Sequence, residues 1–115
     1  MKLAKLAALV ALAAVPCLQA QARPVSCSLE IARQEVFRGD ACNFDASGQD
    51  DGSFQLWSPD GAFFVYVNVE APGRAMGSWN GWEQESHAHD DLGELTRETD
   101  DPACWSNGYA RLCAR

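Results

Sequence analysis

Beyond residue 5 the chain contains no lysine, and its nine basic residues face sixteen acids over 115 residues, a formal charge of −7. The basic face that neutralises phosphates is missing, which excludes nucleic acid as the default partner. No apolar run reaches the roughly 20 residues that a membrane-spanning helix needs. There is no Gly-x-Ser-x-Gly elbow to present a nucleophile, and no close-spaced cysteine knuckle to hold zinc. Internal repeats and linkers are absent as well. The chain is too short for a doubly wound dinucleotide enzyme or an eight-fold β/α barrel. At 47% apolar residues it is also too apolar for a disordered acidic chain.

What is present begins with an export signal. Met1-Lys2-Leu3-Ala4-Lys5 is a short basic start, and Leu6 to Val15 is an unbroken apolar run. Pro16 breaks the helix, and Ala20-Gln21-Ala22 has the small-x-small form that signal peptidase accepts. The pattern predicts a signal peptide over residues 1–22 and a single small β-rich domain over 23–115. The expected location is the periplasm or the medium outside the cell, with no membrane span after cleavage. The mature chain would have 93 residues, seven Arg, no Lys and a charge of −9.

Cys17 leaves with the signal, and Cys27, Cys42, Cys104 and Cys113 remain. An even set of cysteines in a small exported chain reads as a disulfide framework. Four cysteines allow three pairings, and sequence alone does not choose among them. The local pairing, Cys27 with Cys42 and Cys104 with Cys113, is the expected one, because each would tie neighbouring strands.

Along the mature chain the hydrophobic period stays close to two. Val25, Cys27, Leu29 and Ile31 alternate with polar residues. Glu35–Arg38 reads as a short return strand broken at Gly39-Asp40, with the turn near Arg33-Gln34. Asp45 to Gly52 reads as a loop, and Ser53 to Trp57 alternates again. Ala62–Glu70 is apolar on both faces for half its length and predicts a central strand. Pro72-Gly73 fits a type II turn, and Asn107-Gly108 is a strong hairpin signal. Leu92–Glu98 is ambiguous, since Leu92 and Leu95 sit at helical spacing while Gly93 and Thr96 favour a strand, which is the expected reading. Roughly seven to nine short strands predict an all-β fold, a small antiparallel meander sandwich or open barrel. The alternative is α+β with one short helix near 90–98.

Candidate chemistry concentrates in Asn80 to Asp91, a twelve-residue polar stretch without a clear period. Long irregular loops in small domains often carry function. Trp82 stands in it as an aromatic either folded back as a lid or offered to a partner. Glu83, Glu85 and Asp90 would form an acidic rim around it. His87-Ala88-His89 would put two imidazoles on one face of a strand, half of a zinc or copper site. No third ligand is marked, so the chain is expected to need no cofactor. Nothing singles out two of the sixteen carboxylates as an acid/base pair, and an enzyme is not expected.

The run Gly52-Ser53-Phe54, Tyr66-Val67, Trp79-Asn80-Gly81, His87-Ala88-His89, Leu92-Gly93-x-Leu95-Thr96-Arg97, Cys104-Trp105 and Cys113-Ala114 carries a likeness. With Cys27-x-Leu29 and Cys42-x-Phe44 it resembles a group of small exported bacterial disulfide-containing proteins of unassigned function. The resemblance implies that Trp79, Asn80, His87, His89 and Arg97 belong to one shared feature. In size, export, acidity and disulfides the chain is also similar, at the level of class, to periplasmic lysozyme inhibitors. The expected function is non-catalytic binding of a protein or envelope component, cationic by charge complementarity. Metal binding through His87 and His89 is the alternative, and a small hydrolase the next.

Overall fold

The alternation of apolar and polar residues decides the inner face of nearly every strand. In the computed structural model, which describes residues 23–46 and 50–115, eight strands follow one another. They are β1 (Arg23–Ile31), β2 (Gln34–Asp45), β3 (Phe54–Trp57), β4 (Phe64–Ala71), β5 (Arg74–Trp79), β6 (Asp90–Arg97), β7 (Cys104–Ser106) and β8 (Ala110–Ala114). The expected signal peptide at 1–22 and the centre of the Asp45–Gly52 loop lie outside the described residues.

Each strand pairs antiparallel with the next, and β8 returns to β1 through Leu29↔Leu112 and its neighbours. The all-β meander is therefore closed, and the choice between sandwich and open barrel resolves to a closed barrel. The ladders are uneven, since β2 meets β3 only through Asn43–Asp45 and β6 meets β7 only through Thr96 and Arg97. Closure gives every strand two neighbours, so the central position read for β4 is shared by all.

Leu29, Leu56, Val65, Val67, Leu95 and Leu112 are fully buried and fill the barrel. Outside, Phe64 and Tyr66 are half-buried beside Trp57 and Gln55, and the Gln55 amide donates to the Tyr66 hydroxyl at 2.6 Å. The apolar outer half of β4 is thus an aromatic strip on the barrel wall.

Bulges correct one local reading and resolve an ambiguity in another. The first concerns Gly39-Asp40, which does not end a strand. β2 runs unbroken through it, and the register passes from Val25↔Cys42 to Cys27↔Gly39, leaving an extra residue in β2. The glycine is there for space, since a Cβ at position 39 would stand 2.5 Å from Pro59 Cγ. The second concerns β6. Its register passes from Ser78↔Asp91 to Gly77↔Gly93, so Leu92 has no opposite residue, and Gly93 takes φ 82°. That bulge points both Leu92 and Leu95 inward, and it is the origin of their helix-like spacing. Residues 90–97 are strand, not helix.

The disulfides follow the local pairing. Cys27–Cys42 joins β1 to β2 with Cα atoms 6.0 Å apart, and Cys104–Cys113 joins β7 to β8 directly across the ladder at 4.0 Å. Such crosslinks belong to an oxidising compartment.

A meander barrel sends alternate loops to opposite ends. The loops after β1, β3, β5 and β7 share one end, which holds Trp82. The loops after β2, β4 and β6 share the other, together with Arg23 and Arg115.

Candidate functional site

The loop between β5 and β6 is built around a buried amide. Asn80 is 1% exposed although it opens a polar stretch. Its Oδ1 accepts from Phe64 N–H at 3.0 Å, and its Nδ2 donates to Ala62 O at 2.9 Å and Glu85 O at 3.0 Å. Backbone bonds from Gln84 N–H to Gly81 O and from Glu85 N–H to Asn80 O close the same turn. Three partners on one side chain fix residues 80–85 to the start of β4.

This turn seats Trp82. Its ring meets the buried Trp79 edge-on, with centroids 5.2 Å apart and planes at 87°. Trp79 stacks on Phe63, and Phe63 on Phe37, each at 6.1 Å. The four rings form a row from the barrel interior to the surface, plugging this end. Trp82 nevertheless remains 49% exposed, so it is at once supported from beneath and open to solvent. Tyr109, in the β7–β8 loop of the same end, is 50% exposed. Its backbone is tied to the β1–β2 turn by Ala32 N–H donating to Tyr109 O. Among the described residues these two are the large hydrophobic side chains left exposed.

The charges around them are mostly negative. The four loops of this end carry Asp60, Glu83 and Glu85 against Arg33, and Asp90 and Asp91 follow at the start of β6. Ala62 N–H and the Ser58 hydroxyl bond the Asp60 carboxylate and hold its pKa below the ordinary value. Glu83, Glu85 and Asp90 are all exposed.

His87 and His89 are exposed as well, and they lie in irregular chain rather than on a strand. The two-residue period that would bring both imidazoles to one face does not operate there. His89 Nδ1 approaches Asp90 Oδ1 at 3.4 Å. Among the described residues no three His, Cys, Asp or Glu side chains are grouped to hold a metal ion. The structure thus gathers Trp82, Glu83 and Glu85 on one ordered turn and leaves the two histidines beside it without a third ligand.

Sequence reasoning singled out Asn80 without assigning it a role, and it missed two further features. Asn80 opens a polar stretch and is a buried brace. Tyr109 reads as part of a hairpin and is an exposed ring beside the loop. The opposite mouth of the barrel is an open cup whose residues come from distant strands, so no local pattern signals it. The chain matches no family model, no curated protein and no solved structure.

Proposed function

We propose that the protein is an exported, non-catalytic binding module of the bacterial envelope that captures a cationic protein with its Trp82 end. The observation that carries this reading is the seat of Trp82. A half-exposed indole held edge-on by a buried one, on a turn braced by Asn80, is pre-ordered for contact. Rigid aromatic anchors of this kind lose little entropy on binding and dominate interface energies. Glu83, Glu85 and Asp90 supply the acidic rim, which steers a basic partner and sets salt dependence more than affinity. Periplasmic or extracellular residence fits both the disulfides and the expected leader.

A lysozyme, a basic envelope-cleaving enzyme, is the first partner to test, by calorimetry with and without added salt. Trp82→Ala is expected to weaken capture by about 2 kcal/mol or more. Its thermal unfolding should stay close to that of the parent, because the ring rests on the barrel rather than inside it. If Trp82→Ala binds a captured basic protein as tightly as the parent does, this end is not the contact surface.

A further inference from the structure

The mouth opposite Trp82 is not plugged. It opens into a cavity of about 450 Å³ between the start of β1, the start of β3, the end of β4 and the β6–β7 loop. Phe44, Phe54 and Trp105 wall it, with Val25 and Val69. Further in, Leu56, Val67 and Leu95 are fully buried, so the cavity is a cup and not a channel. Eight-stranded barrels are just wide enough to hold one small ligand in this way, and barrel mouths are common ligand sites.

The rim of this acidic protein's cup is cationic. The Arg23 guanidinium lies over the Phe44 ring at 4.8 Å, and that of Arg97 over Trp105 at 5.7 Å. Arg97 Nε donates to Pro102 O at 2.7 Å, which anchors the guanidinium at the mouth. Neither arginine has a carboxylate within 4.0 Å among the described residues. Arg115 is already engaged, donating to both oxygens of Asp101 at 2.9 and 2.8 Å. Asp51 also lines the mouth, its Oδ1 taken by Ser53 N–H at 2.9 Å. Among the charged residues lining the mouth, Arg23 and Arg97 thus stand without a carboxylate partner, while Arg115 is paired with Asp101 outside the lining.

We propose that this cup binds a monoanionic amphiphile, an acyl-chain carboxylate whose head lies between Arg23 and Arg97 and whose chain covers Phe44, Phe54 and Trp105. Two guanidinium groups flank the mouth, and planar guanidinium groups bond carboxylates in pairs. A peptide fits less well. Its backbone amides would need partners, and the Phe44 and Phe54 rings of the wall offer none. The inference concerns the end remote from Trp82 and does not rest on partner capture there.

Calorimetry with protein expressed from the full chain tests it, using decanoate, decanol and decyltrimethylammonium as probes. Decanoate is expected to bind, decanol about tenfold more weakly or worse, and the cation not at all. Arg97→Gln and Arg23→Gln should each weaken decanoate about tenfold and leave decanol unchanged. Arg23→Gln keeps the test decisive if loss of the Arg97–Pro102 bond disturbs folding, since Arg23 only covers the Phe44 ring. Trp82→Ala should leave decanoate binding untouched. Absence of decanoate binding, decanol binding as tightly as decanoate, or parental affinity in Arg23→Gln would overturn the proposal.

Discussion

The Asn80 carboxamide and the Phe64 backbone amide meet at 3.0 Å, and through that bond the Trp82 loop is fastened to the first residue of β4. The same side chain satisfies Ala62 O and Glu85 O. Asn80→Ala would leave these groups without their partner in a site that is 1% exposed. A buried polar group stripped of its bond costs about 1–3 kcal/mol, so a loss of about 2 kcal/mol is expected in urea unfolding. Hydrogen exchange should accelerate at Phe64 and Glu85 and not at Val67. Parental stability in Asn80→Ala would mean that the turn is held by its backbone bonds alone.

The disulfides differ in the loops they close, 15 residues for Cys27–Cys42 and 9 for Cys104–Cys113. Chain entropy then predicts a cost of about 3 kcal/mol for replacing the first pair by serine, and a few tenths less for the second. Denaturation of the two double variants checks the order. A larger loss from the Cys104–Cys113 pair would show that its place directly across β7 and β8 outweighs loop length.

Much of this architecture was legible from residue types. The period of two in Val25–Ile31 and Phe63–Val69, the Pro72-Gly73 and Asn107-Gly108 turns and the local cysteine pairing are all features of short stretches. The parts that were not legible depend on residues distant in sequence. Barrel closure needs β8 to meet β1, and nothing local in Leu112 points to Leu29. Leu92 and Leu95 mimic a helix because a bulge shifts the period by one. Burial of Asn80 is decided by carbonyls at 62 and 85, and the cationic cup by arginines at 23 and 97. The polarity of the candidate loop and its tryptophan are local signals, whereas its order comes from Asn80, whose partners at 62, 64 and 85 are set by the fold.

Stability should fall in acid through a few paired carboxylates. Hydrogen bonds from Arg111 and then Ser106 hold the Glu98 carboxyl below its ordinary 4.5, and the Arg115 fork holds Asp101 below 3.8. A folded-state pKa that is depressed contributes stability above the unfolded value, and that contribution is lost as pH falls through the folded value. Urea midpoints are therefore expected to be flat above about pH 5 and to decline below about pH 4.5. Glu98→Gln should flatten part of that decline. Both pairs face water, so the change should shrink in added salt. A decline of the same depth in Glu98→Gln would place the acid sensitivity elsewhere.

The β1–β2 hairpin turns on two residues poorly suited to it. Ala32 and Arg33 connect Ile31 to Gln34 with φ of 52° and 69°, the left-handed region that a two-residue hairpin of this hand requires. Asn-Gly prefers that geometry, whereas Ala and Arg each incur a Cβ clash costing roughly 1–2 kcal/mol. The strain persists because Ala32 N–H is tied to Tyr109 O at 2.8 Å and both flanking strands are locked in the barrel. Ala32→Asn with Arg33→Gly keeps that N–H and relieves the clash. The greater freedom of glycine in the unfolded chain offsets part of the gain. A net increase of about 1 kcal/mol is expected, a rise in melting temperature of about 5 °C for a domain of this size. An unchanged melting temperature would mean that the flanking ladders already absorb the turn's strain, and that the missing Asn-Gly signal costs the fold nothing.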